Sequence, residues 1–310
     1  MKSTKKKRNP QLMFKRYFPV YLMALPGLIY LFINNYMPLP GLVLAFKNYN
    51  VKKGIWGSDW IGFKNFKFLF ATKDAFIITR NTICYNVAFI IINTIAAVAV
   101  AIILSELRHK VKKLYQSVIL LPYMISMVIV SYLCFAFLSP ENGFLNNTVL
   151  KAFGMQPISW YMEKKYWPFI IILVNLWKTI GYNCIIYLST IVGFDKGYYE
   201  AAAIDGAGKW KQITSITIPL LKPTIIMMTL LSVGKIFYSD FGLFYQVPQN
   251  SGALYAVTNT IDTYVYRGLL ELGDITMSAA AGLYQSVIGF VLVLVTNLIV
   301  RKLDPESALF

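Results

Sequence analysis

Histidine is nearly absent: His109 is the single one in 310 residues, in the basic turn Glu106-Leu107-Arg108-His109-Lys110. A catalytic site needs acids, bases or a metal gathered together, so His109 reads as a solvated neighbour of lipid headgroups. Neither H-E-x-x-H nor G-x-S-x-G occurs, which excludes metalloprotease and nucleophile-elbow chemistry. Cysteine is scarce as well. Cys84, Cys134 and Cys184 fall in apolar runs without metal-site spacing and read as small apolar fillers. Carboxylates number 14 against 30 lysines and arginines. None lies well inside an apolar run, and Asp195 and Asp240 stand near the ends of such runs. That weakens a buried proton relay of the kind carriers use, while a sodium site of backbone carbonyls stays open. Gly206-Ala207-Gly208-Lys209 falls short of a phosphate-binding loop, because Ala203 stands where glycine is required and Trp210 where serine or threonine is. The expectation is a non-catalytic chain with no cofactor or metal of its own.

Apolar residues, in contrast, are plentiful. They make up 57% of the chain and charged residues 14%, against about 45–50% and about 25% in soluble domains. Six runs approach the length of about 20 residues that crosses a hydrocarbon layer: 19–37, 83–104, 114–138, 167–192, 223–244 and 279–300. A lipid-facing backbone must satisfy its own hydrogen bonds, and the alternation of a barrel is missing, so all six are expected to be helical. Pro19, Pro26, Pro38 and Pro40 predict kinks in the first. The basic stretch Lys5-Lys6-Lys7-Arg8 before it resembles a signal peptide. However, the apolar run is long and no small-residue cleavage site follows, so the helix is expected to be retained.

Basic residues orient the spans. With the N-terminus inside, the inner segments hold the N-terminal cluster, then Arg108, Lys110, Lys112 and Lys113, then Lys196, Lys209, Lys211 and Lys222, then Arg301 and Lys302. The outer segments are longer and hold fewer, so both termini are expected in the cytoplasm. The net charge of +16 gathers at helix ends, where anionic lipid attracts it, and this argues for a membrane partner and against nucleic acid. The expected organisation is a basic cytoplasmic tail at 1–16, a first helix region at 17–45, an extracellular loop at 46–75, a membrane core at 76–301 with a cytoplasmic loop at 196–219, and a cytoplasmic C-terminal tail at 302–310.

The cytoplasmic loop is unusual for its alanines. Glu200-Ala201-Ala202-Ala203 favours helix, and Asp205-Gly206 should end it, since glycine takes the left-handed geometry of a helix C-terminus. Ile213, Ile216 and Leu220 then mark one face of a second helix, with Pro219 and Pro223 bending the chain into the fifth span. Such a helix pair can dock into another protein's groove or lie on lipid heads.

The spacing of Glu200-Ala201-Ala202, Gly206, Ile216 and Ile218-Pro219 resembles the signature loop of permease subunits in bacterial binding-protein-dependent ABC importers. Ile218 stands in place of the usual leucine. Residues 15–310 as a whole resemble the maltose-type sugar permeases, in particular the polysaccharide and oligosaccharide branch, through the stretches 238–248 and 261–267. The resemblance implies an all-α type I importer permease fold with six transmembrane helices in the bacterial cytoplasmic membrane. It implies pairing with a second, homologous permease, two cytoplasmic ATPase subunits that hold ATP and Mg2+, and an extracellular solute-binding lipoprotein that delivers an oligosaccharide. Glu200, Ala201, Ala202, Asp205 and Gly206 would then couple the chain to the ATPase. A stand-alone ion-coupled carrier and a structural membrane scaffold are the alternatives.

Lys178 and Lys235 lie inside predicted spans, where a cation costs about 2.5–3.5 kcal/mol at the centre. Both should face water or a partner, or snorkel. Lys178 with Trp177 and Tyr182, and Lys235 with Phe237, Tyr238 and Asp240, are therefore the candidate lining of a sugar path. Ser278, Gly282 and Ser286 recur every four residues and suggest close helix packing, at the junction with a second permease. The polar loop 246–277 is a candidate contact for the binding protein.

Overall fold

The computed structural model describes residues 10–303. Lys2, Lys5, Lys6, Lys7 and Arg8 of the basic tail, and the C-terminal tail beyond Leu303, lie outside the described residues. Helix α1 (Pro10–Leu31) runs through Pro19 and Pro26 without a break. It loosens into a π-helical turn at Phe32–Tyr36 and tightens into a 3-10 stretch at Leu39–Phe46. Pro38 caps that stretch and Pro40 lies in its first turn, where a missing N–H leaves no bond unmade. Every residue from Tyr17 to Pro40 is exposed, so from Tyr17 onward this segment offers its apolar surface to its surroundings. The following segment is structured: β1 (Lys47–Asn48) pairs antiparallel with β2 (Asp59–Trp60), and α2 (Lys64–Ala71) follows.

The body is built on α3 (Lys73–Ser105), α4 (His109–Met124), α5 (Met127–Leu138), α6 (Trp167–Val192), α7 (Lys196–Ile204), α8 (Lys209–Val233), α9 (Ile261–Leu270) and α10 (Ile275–Leu303). Helices α3 and α6 pack along each other at the centre. Ala97 and Ala101 are fully buried there, against Cys184, Tyr187, Leu188 and Ile191. Side chains this small, one turn apart, let two backbones approach closely when lipid supplies no hydrophobic drive between helices. Further along, Tyr85 and Phe89 meet Trp167, Ile171 and Phe244 in a second cluster. The third cluster seats Phe237 among Ala45, Ile78, Ile261, Ala280 and Ala281.

Among the described residues five segments are long and apolar enough to span a membrane, and a sixth is complete only if α4 and α5 count as one bent by 93°. The single helix expected over 114–138 is thus broken at Ile125-Ser126, where the backbone is extended and Ser126 starts the new helix by accepting the Ile129 N–H. The fifth span also departs from expectation. It begins at Lys209, passes through a π-helical turn at Ile213–Thr217 and ends at Val233, so residues 234–244 leave the helix. Pro219 falls in the first turn after the π segment, where its ring costs no hydrogen bond, and the anticipated separate helix is the start of the span itself. The loop 246–277 is less exposed than its polarity suggested. Leu254, Thr258, Thr260, Ile261 and Thr263 are buried, α9 packs on α10, and Thr260 and Thr263 form a reciprocal cap. Arg267 in this segment donates to Asn250 at 2.8 Å and to Asn259, over the Tyr255 ring at 4.2 Å, and burial lowers its guanidinium from the ordinary value.

Of the four-residue stripe on α10, Ser278 is buried and donates to the Val265 carbonyl at 3.2 Å. Gly282 faces open space, and Ser286 is exposed with its hydroxyl 3.4 Å from that of Tyr238, so the stripe is buried only at Ser278. Gly181 is the reverse case: a Cβ there would overlap the carbonyl of Ile119 on α4. Gly181→Ala should therefore cost about 1–3 kcal/mol through overpacking, while Gly282→Ala should not. Thermal unfolding of the two variants in detergent checks this, and equal midpoints would show that α4 and α6 can move apart freely.

Candidate functional site: an interhelical polar cavity and an exposed helical turn

The turn after α6 is assembled by local rules. Asp195 accepts the Gly197 N–H at 2.9 Å and starts α7. At the other end the Ala207 N–H reaches the Ala202 carbonyl at 2.8 Å and the Gly206 N–H the Ala203 carbonyl at 3.1 Å. This is the paired closure of a helix on a left-handed residue, and Gly206 has φ +78°. Buried Gln212 donates to the Ala207 carbonyl at 3.0 Å, and Tyr199 bonds Thr217 at 3.0 Å. Lys209 meets Glu106 at 2.6 Å, but both are exposed, and such pairs contribute about 0–1 kcal/mol. Glu200, Ala201, Asp205 and Gly206 are on the surface. Beside them Ile204 is 87% and Trp210 77% exposed. The result is a rigid knob with bare apolar tips, and Glu200 on a 650 Å³ cleft shared with Lys196 and Lys209.

Among the helices lies a cavity of about 270 Å³. Helix α3 contributes Asn86 and Asn93 and helix α6 contributes Asn175 and Asn183, while Lys235 and Tyr238 enter from beyond the end of α8. Asn93 donates to Asn175 at 2.8 Å, and its own Oδ1 is buried without a partner among the described residues. Sequence reasoning missed all four asparagines. Their signal was readable as amides two turns apart, at i and i+7 or i+8, on otherwise apolar helices.

The seven expected path residues divide. Lys235 and Tyr238 line the cavity. Lys178 instead points at the break between α4 and α5, donating to the carbonyls of Pro122 at 3.3 Å, Tyr123 at 3.2 Å and Ile125. An ammonium has three N–H donors, so the break occupies all of them. Trp177 turns to a different, apolar cleft with Val100, Ile103 and Pro122. Tyr182 stacks on Tyr123 at 4.8 Å beside the same break. Phe237 is buried in the third cluster, and Asp240 starts a short turn by accepting the Leu243 N–H at 3.1 Å.

The end of α8 is held in the same way as the first break. Asn86 donates to the carbonyls of Ile236 at 2.9 Å and Tyr238 at 3.2 Å, and Gln285 of α10 donates to that of Phe237 at 2.6 Å. Asp262 of α9 accepts the Ser239 N–H at 2.7 Å and its hydroxyl at 2.6 Å. No cluster of His, Cys, Asp and Glu fit for a metal occurs among the described residues. The arrangement offers neutral amides and hydroxyls and one ammonium, which suits passage of a hydroxylated solute.

Residues 94–305 match the family described as binding-protein-dependent transport system inner membrane component. Protein LplB of Bacillus subtilis is 32% identical over 93% of this chain and 90% of its own length. The polygalacturonan/rhamnogalacturonan transport system permease protein YteP of the same species is 33% identical over 93% of this chain and 89% of its own. A crystal structure of a bacterial ABC transporter involved in the import of the acidic polysaccharide alginate superposes with a TM-score of 0.86 at 30% identity, covering 95% of this chain and 99% of that one. A related alginate transporter, solved with a periplasmic protein carrying an alginate pentasaccharide, gives a TM-score of 0.84.

Losing Lys178 leaves three carbonyls at the break without their donor. Lys178→Met should therefore cost about 1–3 kcal/mol and lower the thermal midpoint of the purified protein, whereas Lys235→Met should leave it unchanged. Equal midpoints would mean that the break holds without the lysine.

Proposed function

Since this chain belongs to the binding-protein-dependent transport system inner membrane components, we propose that it forms, with a second homologous permease, the path for an oligosaccharide handed over by an external binding protein. It is the membrane-spanning permease subunit of a sugar-importing ABC transporter. Its own residues contribute no catalysis. ATP and Mg2+ belong on two separate ATPase subunits, and the loop 196–219 is where force from them enters. With both termini inside, that loop faces the cytoplasm.

The observation that carries the coupling role is the knob itself. Apolar side chains as bare as Ile204 and Trp210, on a turn closed by a left-handed glycine, fit a partner's groove better than open water. Glu200 stands at its rim to meet a basic group. Helix α8 starts in this turn and runs without interruption to Val233, two residues short of Lys235, so displacement of the knob is carried along a stiff rod to the polar cavity. An ion-coupled carrier working alone has no use for such a knob. The path runs by Lys235, Tyr238 and the four asparagines, with Lys178, Trp177 and Tyr182 steadying the neighbouring break. The bare flank of α1 and the open strip at Gly282 and Ser286 face the second permease, and the exposed apolar residues Leu269, Leu270 and Leu272 face the binding protein.

Proline cannot adopt the positive φ of Gly206. Gly206→Pro should leave the four-subunit complex assembled but unable to answer the binding protein. In purified complexes, ATP hydrolysis of the variant should no longer rise when sugar-loaded binding protein is added. A normal rise would refute coupling through this turn.

A further inference from the structure

The sequence places Lys178 and Lys235 alike inside apolar runs, and the structure separates their roles. Lys178 has its three donors on backbone carbonyls. The Lys235 backbone is paired within its turn, but its ammonium has neither a hydrogen bond nor an ion pair among the described residues, and no acidic residue lines the cavity it enters. We propose that Lys235 is a charge-selecting residue, and that the cargo is an acidic oligosaccharide whose uronate carboxylate meets the Lys235 ammonium as it passes. This rests on the import reading and adds the chemistry of the cargo.

Three features support it. First, the cavity is neutral apart from this ammonium, so its potential is positive, and walls of low dielectric strengthen the attraction for an anion. Second, the remaining polar lining is made of the amides of Asn86, Asn93, Asn175 and Asn183 and the hydroxyls of Thr94, Tyr187, Ser232 and Tyr238, neutral groups that suit sugar hydroxyls and contribute no charge. The unpartnered Oδ1 of Asn93 is an acceptor of the kind a hydroxyl satisfies. Third, the ammonium lies beside a fixed backbone. The carbonyls of Ile236, Phe237 and Tyr238 are held by Asn86 and Gln285, so Lys235 projects from a segment that two other helices keep in place. A neutral sugar would gain nothing from the charge and would have to leave an ammonium unpaired against it. A cavity of about 270 Å³, just below the usual range of ligand pockets of about 300–1,000 Å³, admits a short stretch of sugar at a time. One carboxylate after another can therefore pass the same lysine.

The test is uptake by cells carrying the complete transporter with its own binding protein, offered trigalacturonate, trimannuronate, their neutral methyl esters and maltotriose. The wild type should take up an acidic trisaccharide. Lys235→Gln should reduce that uptake at least about tenfold, the size expected for losing one charge-assisted contact, while Lys235→Arg should retain most of it. Undiminished acid uptake by Lys235→Gln overturns the proposal, and so does an equal loss in both variants, which marks a packing role. A wild type that imports only the neutral sugars overturns the charge assignment and leaves the import reading in place. A wild type that imports none of them at all counts against the import reading itself.

Discussion

A backbone carbonyl left without a donor inside an apolar layer costs several kcal/mol, yet this chain breaks its helical ladder in two places among its spans. Each break survives because neighbouring helices lend side chains to it. Lys178 of α6 closes the carbonyls between α4 and α5, Asn86 and Gln285 close those after α8, and Asp262 accepts the Ser239 N–H beside them. The polar residues of the interior are therefore mostly structural ties, and their positions are dictated by where the backbone is open.

Those ties also decide the shape of the interior. With α4 and α5 turned by 93° to one another, Gly181 lets α6 approach α4 backbone to backbone, and Lys178, one turn before it, comes within reach of the break. Asn175 and Asn183 of α6 line the cavity together with Asn86 and Asn93 of α3. Polar residues of α6 thus divide by partner, Lys178 holding the break and the asparagines lining a passage. Close packing at Ala97 and Ala101 keeps α3 and α6 together, so the cavity is a property of a stiff pair.

Helix α8 connects this interior to the surface. Its 25 residues make a rod of about 37 Å at 1.5 Å per residue, with the knob of α7 at one end and Lys235 just past the other. A π-helical turn at Ile213–Thr217 lies near the start, and the break after Val233 takes the segment beyond it out of the helical ladder. The same feature that needs Asn86 and Gln285 for its stability therefore places the free ammonium at the end of the rod.

Much of this was determined by local chemistry and so was readable in the sequence. Runs of apolar residues set the helices, because lipid demands a self-satisfied backbone, and Asp205-Gly206 set the end of α7, because glycine alone enters left-handed geometry without strain. The spacing from Glu200 to Pro219 carried the family likeness for the same reason, since a turn's residues satisfy one another within a few positions. Tertiary structure decided what depends on residues far apart in the chain. Composition gave Lys178 and Lys235 the same standing, and only the approach of α4 to α6 at Gly181 assigned one to a break and left the other free. The pairing of Asn93 with Asn175, 82 positions away, and of Ser239 with Asp262 was likewise invisible in the linear order, because a hydrogen bond between helices depends on which faces meet, and that is settled by packing.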